Sequence, residues 1–244
     1  MNNVRTVSDT KRAFYTAHTR PINSIYRRVV EELMVEMHLL AVNVDYHYDP
    51  IYALGIVTSF SRFMQGYRPE QDKNSIFDGI CGALQDNPQR YRQDAERLRA
   101  FVSQKSAPDL VLWLEQAATM PAGDELQQQI KAIANNLKFK YSRLFAIGLF
   151  SMLELADPEL VKDETRRGEA LEKISVTLRL PYDKIQKDLE LYRSNLEKMA
   201  QAQAVMEDLL KAEKKKREQQ MQLNNGTSPT DSTATPKDEA PSGS

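Results

Sequence analysis

The residues able to perform catalysis or hold a metal are few in this chain, and their spacing limits what they could do. There are three histidines, His18, His38 and His47, and one cysteine, Cys81. His38 lies close to Glu31, Glu32 and Glu36, a composition that suggests a carboxylate-bridged di-iron centre. Such centres repeat a Glu-x-x-His step on two helices, whereas Glu36-Met37-His38 has the wrong step and no second copy. His47 sits in Asp45-Tyr46-His47-Tyr48-Asp49, two carboxylates and two phenols around one imidazole. A general-base or ligand role is chemically open to it, but helix capping and loop hydrogen bonds account for the same residues more simply. No Lys-Ser/Thr follows a glycine-rich turn, no Gly-x-Ser-x-Gly occurs, and Cys81 has no companion ligand. The residues specify no catalytic, cofactor or metal site.

The leading expectation is an interaction protein. A net charge of −1 and a pI near 6.4 give no overall attraction to nucleic acid. A single cysteine excludes an internal disulfide and fits a reducing compartment. The strongest apolar run, Leu144 to Leu155, is too short to span a bilayer and carries Glu154. The N-terminal twenty residues are basic and hydroxyl-rich, as organellar transit peptides are. The simpler expectation is an arm and short helix capped by Ser8, with Phe14, Tyr15 and Ile22 docking on the next helix. These features describe a soluble or membrane-peripheral protein.

The elements that position the residues are helices. In 20–67, Ile22, Tyr26, Val29, Leu33, Met37, Leu40 and Val44 recur at steps of three and four, one apolar stripe. Arg27 with Glu31 and Arg28 with Glu32 form i,i+4 pairs opposite it, worth about 0.3 kcal/mol each on a solvated face. Asp49-Pro50 then starts a second helix, cap followed by proline, so the stretch predicts a helical hairpin at the centre of the domain. Asn87-Pro88 and Asp157-Pro158 repeat the device, and Ser106-Ala107-Pro108 varies it. A helix follows from about Ile76 to Leu84, in which Gly79 and Gly82 are weak points unless they permit close packing. A long helix is predicted from Asp124 to Ala156, with Leu137, Tyr141, Leu144, Phe145, Gly148, Met152 and Leu155 as its stripe. Residues 159–180 read as short helices; a strand over Val176–Leu180 is the alternative, with nothing for it to pair with.

From Pro181 the pattern changes. Tyr182, Ile185, Leu189, Tyr192, Leu196 and Met199 alternate steps of three and four, and Met206 and Leu210 rejoin the register, a heptad-like seam. With no Pro or Gly over 182–223, that helix would reach roughly 60 Å at 1.5 Å per residue. The expected fold is all-α: a helical bundle over 1–180, a long coiled-coil-like C-terminal helix over 181–223 with its first half packed on the bundle and the rest projecting, and a disordered tail over 224–244. Past Met199 the seam keeps apolar residues but gains the basic run of Lys214, Lys215, Lys216 and Arg217. Met206, Leu209, Leu210 and those four cations are therefore the expected partner-binding face. A second reading places a pigment or lipid cavity among the aromatic residues of 46–67. A third, an enzyme, would use Asp45, His47 and Asp49.

Residues 7–40 (VSDTKRAFYTAHTRPINSIYRRVVEELMVEMHLL) resemble the start of the conserved domain of the thylakoid formation protein family. DPIYALGIVTSFSRFMQGY (49–67) and PYDKIQKDLELYRSNLEKM (181–199) are similar to two further stretches of that family, and the likeness covers about 7–210. The resemblance implies a non-enzymatic, all-helical factor, peripheral to the cytoplasmic face of thylakoids and present in the cytoplasm. It implies support of photosystem II biogenesis and repair, and of the accumulation of FtsH-type membrane proteases. Photosystem II assembly intermediates are further partners it suggests. The family-like segment starts by Val7, which favours a cyanobacterial form over one with a transit peptide. The family supplies no catalytic motif to carry over.

Overall fold

The computed structural model describes residues 5–121 and 123–225; the tail expected over 224–244 falls, from residue 226, outside them. Eleven helices make up the regular structure of the described residues: α1 (Val7–Ala17), α2 (Ser24–Ala41), α3 (Pro50–Phe63), α4 (Asp72–Ala83), α5 (Pro88–Val102), α6 (Ala107–Thr119), α7 (Glu125–Asn135), α8 (Arg143–Ala156), α9 (Pro158–Lys162), α10 (Glu164–Leu178) and α11 (Tyr182–Asn225). The protein is all-α with a long C-terminal helix. The chain divides into two compact units, one ending at Ala200 and one beginning at Gln201.

Helix starts follow local chemistry. Asp49, Asn87, Ser106 and Asp157 each accept a hydrogen bond from the first turn of the helix they open, with proline at its first or second position. At α1 the cap is Thr6 rather than the expected Ser8. The Thr6 hydroxyl accepts from the Asp9 N–H while the Asp9 carboxylate accepts from the Thr6 N–H, a reciprocal box.

The first unit is centred on α3 and α8, both apolar nearly all round. They cross with Gly55 against Gly148, where a Cβ on either would fall within 2.0 Å of the other helix's backbone. The expected α2–α3 hairpin therefore forms the centre only in part: α3 packs far more extensively on α8 and α5 than on α2. Helix α2 buries Tyr26, Val30, Leu33, Met34 and Met37, so its stripe is rotated toward Val30 and Met34. Val44 lies beyond the end of that helix and is exposed. Of the two predicted pairs, Arg28–Glu32 forms at 2.8 Å. Glu31 instead turns to α1, accepting from Lys11 at 2.7 Å and Tyr15 at 2.6 Å. Gly79 admits the Phe14 ring to within 3.2 Å of where a Cβ would stand, and Gly82 faces open space.

The predicted single helix over 124–156 is two helices. Asn136 ends α7, its side chain accepting from the Lys138 N–H, and Ser142 caps α8 by accepting from the Phe145 N–H. Asn and Ser side chains compete with the helix for backbone groups, and that competition opens 136–142 into a loop. Leu137, assigned to the buried stripe, is consequently exposed. Val176–Leu180 is not a strand. Helix α10 runs to Leu178 and ends at Arg179, left-handed with φ 57°, where the Leu180 N–H reaches back to the Ser175 carbonyl.

Within the first unit, α11 buries Ile185, Leu189, Tyr192 and Met199. Tyr192 meets Phe63 edge to face, and Tyr141 donates to Asp188 at 2.7 Å. In the second unit α11 remains helical through Asn225.

Candidate functional site

The face expected to bind a partner lies on the α11 residues of the second unit. Leu209 is 61% exposed and Leu210 58%, joined by Val205 at 61%, one residue off the heptad-like seam. Met206 is half-buried. Val205 with Leu209 and Met206 with Leu210 are i,i+4 pairs, so the four form one apolar band along the helix. Met221, also exposed, stands eleven residues beyond Leu210 and so returns to the same side after three turns. Lys214 lies 3.9 Å from Glu218, and Lys211 spans to Glu207 and Asp208 at 3.9 and 3.8 Å. Lys215, Lys216 and Arg217 are exposed beside them. The arrangement is an amphipathic segment, apolar first and basic after, suited to recognition rather than proton transfer.

The acidic-aromatic turn does different work. Asp45 extends to Lys138 at 3.8 Å and Lys140 at 3.5 Å. His47 meets the Asp45 backbone carbonyl at 3.0 Å. Asp49 is buried, its carboxylate accepting from the Tyr52 N–H at 2.8 Å. Burial pushes the Asp49 carboxyl up to about 7, against the pull of the Tyr52 and Ile51 amides. The three residues thus make an ion pair, a turn contact and a helix cap. Around them Tyr46, Tyr48, Tyr52, Tyr91 and Phe77 meet ring to ring at 5.3 to 6.5 Å, mostly edge to face. Tyr48 donates to Asp94 at 2.8 Å and Tyr91 to Asp86 at 2.6 Å, with the Arg90 guanidinium over the Tyr48 ring. Desolvation raises all four of these phenols well above the ordinary tyrosine range.

The carboxylates near His38 are likewise taken. Glu31 is bound to Lys11 and Tyr15, which hold it below the usual glutamate range; Glu32 pairs with Arg28, and Glu36 with Arg143 at 2.7 Å. His38 Nδ1 shares a 2.9 Å hydrogen bond with Thr10. Among the described residues, no three His, Cys, Asp or Glu side chains are placed to hold a metal ion. A groove of about 550 Å³ separates α10 from α11. Its cations (Arg167, Lys187, Arg193) are matched by acids (Glu164, Asp183, Glu190), so it presents no field of one sign.

The family model of the thylakoid formation protein matches residues 6–221. The chain belongs to the thylakoid formation protein family. Among family members, Protein Thf1 of Nostoc sp. is 65% identical over 222 residues, covering 91% of this chain and 95% of its own. Protein Thf1 of Acaryochloris marina is 54% identical over 241 residues, 98% of this chain and 97% of its own. The solved structure of Psb29 is 44% identical, covers 87% of this chain and 98% of its own, and superposes with a TM-score of 0.75. Family membership gives the protein a thylakoid-related role. No helix of the described residues is long and apolar enough to cross a membrane.

Proposed function

We propose that the protein is a non-enzymatic factor supporting photosystem II biogenesis or repair, working through association with FtsH-type membrane proteases and promoting their accumulation. Recognition is assigned to α11 beyond Met199. The observation that carries this reading is the band of Val205, Leu209 and Leu210, exposed in the middle of a continuous helix and followed by Lys214 to Arg217. An apolar helix face in water docks into a groove on another protein, with i, i+3 and i+4 side chains as anchors. The basic run suits an acidic rim on that groove. Photosystem II assembly intermediates are a further class of partner for the same face.

The test is a tagged pull-down from detergent-solubilised thylakoids. Full-length protein is compared with a form ending at Gln201 and with Leu209→Glu plus Leu210→Glu. Protease recovered by the full-length chain and lost with both variants supports the assignment; equal recovery by all three places the partner surface elsewhere. Pigment or lipid carriage by 46–67 has less support. The rings that would line such a cavity contact one another, and Ile51, Leu54 and Ile56 among them are fully buried.

A further inference from the structure

Two separate turns of the first unit are built alike. Asn43-Val44-Asp45-Tyr46 follows α2, and Asn136-Leu137-Lys138-Phe139 follows α7: in each, asparagine, aliphatic, charged, aromatic. In each, the asparagine side chain accepts from the N–H two residues on, at 3.0 Å for Asp45 and 2.9 Å for Lys138. In each, the aromatic N–H returns to the asparagine carbonyl at 3.0 Å. The aromatic rings anchor the turns, Tyr46 against Tyr52 and Phe139 against Phe145 at 4.9 Å. The third residues bind the turns to each other, because Asp45 lies 3.8 Å from Lys138 and 3.5 Å from Lys140.

This leaves the aliphatic residue of each turn at an apex. Val44 is 94% exposed and Leu137 88%, the highest values among large apolar side chains of the described residues. Leu39 and Val42, on the last turn of α2 and just past it, are exposed as well. Turn residues are ordinarily polar, so two hydrogen-bonded turns, joined through Asp45 and each presenting an aliphatic tip, suit an apolar surrounding. A protein partner would need a separate pocket for each protruding tip. A lipid interface closes around both without one. The nearby charges lean toward an anionic surface by one: Asp45, Glu36 and Asp188 stand against Lys138, Lys140, Arg143 and Lys184, with the second lysine on Asp45 the surplus.

We infer that Val44 and Leu137 are a membrane-contact tip, entering the interface of an anionic bilayer with Lys138 and Lys140 at the head groups. The inference rests on the peripheral reading of the protein but not on the α11 partner. Two aliphatic tips bury less apolar surface than a single acyl chain, so with a few lysines the attachment is weak and reversible.

The test is flotation of the full-length protein with vesicles of phosphatidylcholine and phosphatidylglycerol in equal parts, and with phosphatidylcholine alone, no other protein being present. The wild type floats with the mixed vesicles and much less with the neutral ones. Val44→Asp plus Leu137→Asp lowers the vesicle-bound partition by about tenfold or more with an unchanged melting temperature. Lys138→Gln plus Lys140→Gln weakens binding and flattens its salt dependence. Leu209→Glu plus Leu210→Glu floats as the wild type does, which separates this surface from the protease face. Three results would overturn the inference: wild type that stays in solution or ignores phosphatidylglycerol, a double aspartate variant that floats normally, or binding abolished by the α11 substitutions alone.

Discussion

Gly55 and Gly148 face each other where α3 crosses α8, and neither has room for a methyl group. A Cβ on Gly55 would stand 1.7 Å from the Leu144 carbonyl oxygen, and one on Gly148 would stand 2.0 Å from that of Ile51. Both obstacles are backbone, which no rotamer change relieves. Gly55→Ala and Gly148→Ala are each expected to destabilise the protein by about 3 kcal/mol or more, read from urea denaturation midpoints. Gly82→Ala, facing open space near the end of α4, should stabilise by up to about 1 kcal/mol. A tolerated Gly55→Ala would mean that the two helices do not cross there.

Asp49 makes stability depend on pH in a direction unusual for a carboxylate. Its ordinary value is 3.8 and burial raises it to about 7 in the fold. The folded state therefore binds the proton more tightly than the unfolded chain. That contribution is complete below the unfolded value and is lost as pH rises through about 7, at a cost on the order of 4 kcal/mol. Asp49→Asn keeps a good cap without the buried charge. The urea midpoint of the wild type should fall relative to that variant from about pH 4 to about pH 8. Parallel curves would show that Asp49 is solvated or remains charged at little cost.

Leu137 and Leu144 stand seven residues apart and belong to one stripe by spacing alone. The loop over 136–142 separates their fates, leaving Leu137 exposed and Leu144 buried against α3. Leu144→Ala should cost about 2–5 kcal/mol and Leu137→Ala no more than about 0.5 kcal/mol. Equal costs in thermal or chemical denaturation would restore a continuous helix.

Cys81 is fully buried in α4, and desolvation pushes its thiol up to about 12. Only the thiolate reacts with alkylating reagents, so the native protein should resist iodoacetamide and become labelled in step with unfolding by urea. Labelling well below the unfolding transition would reveal local opening of α4.

The sequence by itself determined whatever depends on neighbours along the chain. Asp49-Pro50, Asn87-Pro88, Ser106-Ala107-Pro108 and Asp157-Pro158 start helices because a side-chain oxygen can satisfy amides two or three residues on, and proline needs no partner there. The length of α11 follows from a run without breakers, and the exposed Leu209 and Leu210 from a seam that loses its apolar partners. Asn136 and Ser142 also carry a local break signal, but the apolar period that runs across them is the stronger one in the sequence. Tertiary structure alone decided the rest. Nothing local distinguishes Gly79, pressed by Phe14, from Gly82, facing solvent. Nothing local sends Glu31 to Lys11 and Tyr15 in place of Arg27, or selects α8 over α2 as the main cover of α3. Those choices depend on surfaces brought together from distant segments, as does the clamp by which Asp45 and two lysines set Val44 beside Leu137.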